Sequence, residues 1–387
     1  MLSWTDFAAR AGFVLLGSTS LSQVADATNI NVCSTCVHST IQSAVNAATS
    51  GDVINIAAGR YNENVLIENK RLTLNGASGG LNGVSELYAA DRGPALVLGT
   101  GVAGATPMLI EIHGLTISHG SHLSGTGVGG GVQVRAGAYL HLFDSTISQN
   151  VANEGGGIGI DTPNAPQTTL TRCVITRNSA LSNASAGQLL TSGGGVAAVN
   201  GSVAIVQSTI SYNQTTGQWG GGGIVSGLGG NATLTLTNST VSDNTATTFI
   251  DSSGVSGGWG GGLYLAGDFT ISGSTISNNL ATGETAQGGG LMIGIYDGGT
   301  HVLEHTTVSH NSFTGNDPTF QGAGGGILAF IGAFSAPTGT LTLTNVYIVD
   351  NLAGAGLADG EGVALKLRGT IIKGNVGGEC VGAGCPP

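Results

Sequence analysis

His310 and Asp350 stand at the same place in two successive copies of a repeated motif, TTVSHN at 306–311 and VYIVDN at 346–351. A carboxylate one repeat away would raise an imidazole's pKa, so His310 and Asp350 are the candidate catalytic acid/base pair; the alternative is a chance meeting of two exposed side chains. Trp219 and Trp259 each come just before a glycine run, and Phe320 precedes a later one. Indoles on neighbouring repeats would offer an apolar strip on which sugar rings stack; the alternative is that each ring packs over its own loop. Glu154, Asp243, Asp251, Glu284 and Asp317 lie on or beside the same segments. Oxygen donors of this kind hold Ca²⁺, although these are scattered in sequence and the G-G-x-G-x-D nonapeptide is absent. The expected carbohydrate contacts are therefore Trp219, Trp259, Phe320, Asp243, Asp251 and Glu284.

The elements that must position these residues come from the repeat. STISQN (145–150), CVITRN (173–178), STISYN (208–213), STVSDN (239–244) and STISNN (274–279) share one pattern, with weaker copies before and after. All but the last copy lead into a glycine run followed by apolar alternation, as in GGGIGI at 155 and GGGLYL at 260, or its degenerate form GEGVALKL at 360. From Asn150 to Asn375 the asparagines are spaced 28, 35, 31, 35, 32, 40 and 24 residues apart. Each unit holds two or three short strands, too few to bury a face alone, so consecutive units must stack around one continuous core. The spacing of 24 suits one bare coil of a parallel β-helix, and about nine coils plus an N-terminal section make a rod of roughly 45–60 Å at about 4.8 Å per coil. The asparagine column is expected to be structural, stacking amide on amide and tolerating left-handed backbone. Asp144 and Arg172, one coil apart, are expected to pair at the surface. Length varies between each asparagine and the next glycine run, so loops should line one side of the rod.

Ser39-Thr40-Ile41-Gln42 has capping-box spacing, and Ile41, Ala44, Val45 and Ala48 share one helical face before Gly51. A short helix here covers the open end of the solenoid, ahead of strands at Val53–Ile56, Val65–Ile67 and Leu72–Leu74. The stretch TIQSAVNAATSGDVINIAAGRYNENVLIENKRLTLNGAS (40–78) resembles the opening of right-handed parallel β-helix proteins of the pectin-lyase-like superfamily. The TISxN…GGGI repeats are similar to those of secreted bacterial β-helix repeat proteins and, more loosely, of polymorphic outer-membrane proteins. The resemblance spans about residues 33–385 and implies an all-β, single-domain right-handed parallel β-helix with a short N-terminal capping helix. It does not imply one activity, because the superfamily hosts lyases, hydrolases, esterases, adhesins and proteins of unknown role.

The domain reading is an extension or signal peptide over 1–27, cap and first coils over 28–80, repeats over 81–378 and a cysteine-containing tail over 379–387. The apolar stretch Ala11 to Leu16 and the small-residue pattern Ala25-Asp26-Ala27 suggest a secretion signal, though Asp6 fits one poorly. Cys33 with Cys36, and Cys380 with Cys385, read as two local disulfides at opposite ends, which fits a secreted or cell-surface protein; Cys173 reads as a buried apolar residue. A formal charge of −11, with 11 basic residues scattered singly, argues against nucleic acid. No run of 18 apolar residues is present, so no membrane span is expected.

The function expected is a rod, monomeric, that binds carbohydrate or a surface partner through loops on one side. A polysaccharide lyase or glycoside hydrolase is the first alternative and a structural envelope protein the second. The superfamily's acidic or Arg/Ca²⁺ catalytic sets do not carry over onto matching residues. His113 and His141, at strand ends, read as rim residues. Thr-x-Thr pairs such as Thr235/Thr237 and Thr342/Thr344 do not recur in every repeat, so the ladders of an ice-binding rod are not expected.

Overall fold

Alternation sets the framework. In the TIS segments the middle residue (Ile147, Ile175, Ile210, Val241, Ile276, Val308) is fully buried, while its neighbours turn outward or are partly exposed. β-Branched side chains at these positions are stiff and pack well on a pleated surface. The computed structural model describes residues 27–79, 83–125, 127–163, 167–181, 192–217, 220–227, 232–247, 258–283, 285–295, 299–315, 324–331, 339–360, 362–382 and 384–385. Among these, the strands form four parallel sheets of a β-helix. Sheet A has 12 strands, from Asn29–Val32 to Val363–Arg368; sheet B has 11, from Gly59–Asn62 to Ile371–Lys373; sheet C has 11, from Val65–Ile67 to Cys380–Val381. Sheet D is short, with 7 strands from Ser121–His122 to Ser312–Phe313. Each repeated coil runs A, B, D, C. Twelve stacked strands in sheet A give a length of about 53 Å.

Two corners of each repeated coil are tight. The A-to-B corner carries a left-handed residue in coil after coil (Asp144, Arg172, Gln207, Asn238, His305, Asn345), as does the B-to-D corner (His119, Gln149, Arg177, Tyr212, Asp243, His310, Asp350). Left-handed backbone thus falls on the residue before each ladder asparagine, not on the asparagine itself. The asparagine is buried and does something else. In Asn213, Nδ2 donates to Asn244 Oδ1 (3.0 Å) and to the Ile175 carbonyl (2.9 Å), and its backbone N–H also reaches Asn244 Oδ1 (2.9 Å). The same bonds repeat from Asn150 through Asn351. The third glycine of each run explains the pairing of the two motifs: a Cβ on Gly195, Gly223 or Gly262 would press on the ladder amides of Asn213, Asn244 and Asn279. A second polar ladder runs through the first motif residue, where the Ser208 N–H donates to Ser239 Oγ and the Ser239 N–H to Ser274 Oγ. Cys173, at one of these places, is buried and free.

The cap is a helix, α1 (Ile41–Ala47), with Ile41, Ala44 and Val45 buried. Its N-cap is Thr40, one residue later than the sequence spacing suggested; the Thr40 hydroxyl accepts from the Ser43 N–H. Gln42 instead braces the helix against the Leu66 backbone, and the Glu63 carboxylate accepts from the N–H groups of Ile41 and Gln42. A carboxylate at this end completes donors that no helix turn can satisfy. A strand unseen in the sequence, Asn29–Val32, precedes the helix and pairs with Val53–Ile56. Asp52 ties them, accepting from the Thr28 hydroxyl and N–H and from Thr49, and these bonds hold its carboxyl well below the usual range. Disulfides join Cys33 to Cys36 and Cys380 to Cys385.

Candidate functional site

Constant corners leave two variable connections per coil, and both border sheet C. The D-to-C connection is the one whose length varies visibly in the sequence. The C-to-A connection varies too, from one residue between Asn200 and Ser202 and two between Leu265 and Asp268 to seven between Ile331 and Gly339. Between them, the outward column of sheet C runs Ala197, Val225, Tyr264, Met292, Leu328, Ala358. These side chains are buried and form a second apolar cluster with Val199, Trp259 and Phe330. Trp259 packs there, half-buried, its ring 6.0 Å from that of Tyr264. The packing alternative therefore describes Trp259. Trp219, Phe320, Asp251, Glu284 and Asp317 lie outside the described residues.

His310 and Asp350 do occupy successive B-to-D corners, as aligned, and both are exposed. No ion pair joins them: Asp350 leans the other way, so that a Cβ on Gly374 would collide with its Oδ1. Asp243 sits in the same corner column, away from sheet C, with its N–H bonded to the Ser277 carbonyl. Among the described residues, the one group of three close donor atoms is Asp359, Cys380 and Cys385, and its two sulfurs are bonded to each other. Asp144 and Arg172 form the expected surface pair, with both guanidinium contacts under 3 Å.

Among the described acidic residues, Glu154 is the one whose carboxyl is pushed upward. It stands just before the glycine run, bridged between Val128 and Ser192, and its carboxyl has no hydrogen-bond partner among the described residues. Burial first, and the charge of Asp161 second, push it up to about 7 from an ordinary 4.5. Asp161 is itself held by Asn200 Nδ2 at 3.0 Å. Because the folded protein keeps a proton here that the unfolded chain releases, stability falls as pH rises from the ordinary carboxyl value towards 7. Glu154→Gln should therefore melt with the wild type at pH 4 and above it at pH 8, by up to about 3 kcal/mol. Melting curves across that range check this, and a pH-independent gap would contradict it.

The aromatic surface lies elsewhere, on the outer face of sheet A near its N-terminal end. Three consecutive strands (Leu72–Gly76, Met108–His113 and Ala138–Phe143) are in register without a bulge. With Arg71, which directly precedes the first, they align three outward rows: Arg71, Thr73, Asn75; Leu109, Glu111, His113; Tyr139, His141, Phe143. In this grid His113 stacks on Phe143, with centroids 4.7 Å apart and planes at 9°. His141 stands edge-on to both Tyr139 and Phe143. Glu111 lies between, with Oε1 3.9 Å from His141 Nδ1 and Oε2 3.5 Å from the Thr73 hydroxyl. An open hollow of about 290 Å³ adjoins, lined by Ser50, Gly51, Arg71, Leu72, Thr73, Leu109 and Glu111. His113 and His141 are thus parts of a ring platform on the sheet face. The signal was present in the sequence: LIEIH (109–113) and YLHLF (139–143) put rings and a carboxylate at the alternate positions where most later coils carry threonine.

Such a surface offers flat ring faces for the C–H side of a sugar, with a carboxylate, a guanidinium, a hydroxyl and an amide beside them for its hydroxyls. No helix of the described residues is long and apolar enough to cross a membrane. The chain matches no family model and no curated protein. Solved structures similar to it include a pectate lyase, Pel9A, at 10% identity with a TM-score of 0.40, covering 90% of this chain and 80% of that one, and a deglycosylated pectin methylesterase from Aspergillus niger at 11% identity with a TM-score of 0.30, covering 90% and 86%. The fold rests on the strand pairing itself.

Proposed function

We propose that this protein is a secreted or cell-surface β-helix rod that binds carbohydrate, with the ligand seated on the outer face of sheet A. One observation carries the reading: the grid of Tyr139, His141, Phe143 and His113 around Glu111, open beside a hollow large enough for a sugar unit. Pockets of about 300 Å³ with apolar walls and a few placed polar groups are the usual form of small-ligand sites. The expected seat moves from the loop side to this sheet because Trp259 is committed to packing on Tyr264. Disulfides at both ends support an oxidising compartment.

Affinity electrophoresis through a panel of neutral and acidic polysaccharides, with and without Ca²⁺, tests the reading. The wild type should be retarded by at least one polymer, and His141→Ala/Phe143→Ala should run at least ten-fold weaker in apparent affinity with an unchanged melting temperature. Equal retardation of the two proteins, or none on any polymer, would sink it. A second reading, cleavage of a chain seated on the loop side beside sheet C instead of on sheet A, is favoured by Glu154 there, whose carboxyl is pushed up to about 7 and so suits a general acid. New reducing ends or unsaturated uronates that vanish in Glu154→Gln would establish it.

A further inference from the structure

Sheet B carries an array that the function above does not use. Over seven consecutive strands, from Leu115–Ser118 to Thr307–Ser309, the two outward positions read Thr-x-Ser, with Val174-x-Thr176 as the one variant. Every pairing in this run is in register, so threonines and serines fall in two straight ranks. Thirteen of the fourteen positions carry a hydroxyl and none carries a charge. Apart from Ser118, which donates to Glu86, these hydroxyls make no hydrogen bond within the described protein. Ser211 and Ser309 are only 8% exposed, yet their outward hydroxyls are unpartnered. A polar group so placed awaits a ligand atom or an ordered water.

The array has fixed dimensions. Neighbouring strands are about 4.8 Å apart and alternate residues of one strand about 6.7 Å apart, so the hydroxyls form a rectangular net extending about 29 Å along the rod. Threonine is stiff about χ1, so most positions in the first rank are set before any contact and little rotamer freedom is lost on binding. Sheet A, which carries the Thr-x-Thr pairs, breaks its ranks with Ala204, Val206, Val302 and Glu304. The repeat motif itself holds the longer ladder, interrupted only at Val174.

We propose that the outer face of sheet B binds ice. A net of hydroxyls with these two repeats approaches the spacing of oxygens on exposed planes of hexagonal ice, so water held on it is already arranged as lattice. The occupant is a crystalline water surface rather than a protein, which would need an apolar centre that these strands lack. The net ends where Tyr347 and Ile371 continue the threonine rank as exposed apolar side chains.

The test freezes a dilute solution of the full chain slowly and measures its partition into ice, together with ice-crystal shape and recrystallisation. The wild type should be enriched in the ice at least ten-fold over an inert protein and should facet growing crystals. Thr209→Tyr/Thr240→Tyr and, as a second disruption, Thr240→Lys should each lose this with unchanged circular dichroism, while Thr235→Tyr/Thr270→Tyr on sheet A keeps it. Exclusion of the wild type from ice overturns the proposal, as does equal loss in the sheet A variant. Adsorption to insoluble crystalline glucan without any effect on ice overturns it as well, assigning the net to a polysaccharide surface.

Discussion

Asn244→Leu should cost about 3–5 kcal/mol, a third or more of the stability of an ordinary domain. The side chain is close in volume, so the loss is one of hydrogen bonds. Asn244 Oδ1 accepts from both the backbone N–H and the side-chain Nδ2 of Asn213, and its own Nδ2 donates to Asn279 Oδ1 and the Ile210 carbonyl. Leucine leaves the Asn213 N–H without a partner at a site water does not reach, and each such orphan costs about 1–3 kcal/mol. Its branched end also meets Gly223, which is glycine because the amide lies against it. Because each coil touches only its neighbours, a weak central coil should also split the urea transition in two. Asn238→Gly, at an exposed left-handed corner, should change the stability by less than about 0.5 kcal/mol. Equal effects of the two substitutions would refute the ladder's role.

Gly222→Ala should be as severe, about 4 kcal/mol or more, for a different reason. Gly222 is not left-handed, so backbone freedom does not explain it. A Cβ there would strike the Gly261 carbonyl oxygen and lie 2.6 Å from the Thr245 carbonyl group. Both obstacles are backbone of the next coil, and neither moves without breaking the strand pairing on either side. Gly51→Ala is the contrast: φ is +104° but nothing lies within 4 Å of the added carbon. That change should cost only about 1–2 kcal/mol of local strain. Soluble yield and the thermal midpoint distinguish the two, and a well-folded Gly222→Ala protein would contradict the account of the glycine runs.

The repeat made the architecture legible, because a motif that cannot bury its own face has few ways to satisfy itself. The asparagine column followed from the same alignment, and the end disulfides from the close spacing of each cysteine pair. What alignment hid was the left-handed column. His119, Gln149, Arg177, Tyr212 and Asp243 share one backbone conformation and no side-chain chemistry, so variability concealed the constraint. The site was harder to read for another reason. Trp259 and Tyr264 are separated by a glycine run, and whether an indole faces water or a neighbouring ring depends on how coils stack. The sheet A grid brings Thr73, Glu111 and His141 into one row across 68 residues of chain; single-strand alternation places each outward but does not join them. The Thr-x-Ser net lies within the repeated TIS segments, but it becomes a flat array only once the strands pair in register.

Hydrogen exchange of the protein with and without the polymer that retards it most tests the central claim, that carbohydrate seats on sheet A. The amides of 71–75, 108–113 and 138–143 should exchange more slowly in the complex, with sheet C and the corner holding His310 and Asp350 unchanged. Protection confined to the connections bordering sheet C, with the sheet A strands unaffected, would contradict it and return the site to the loop side.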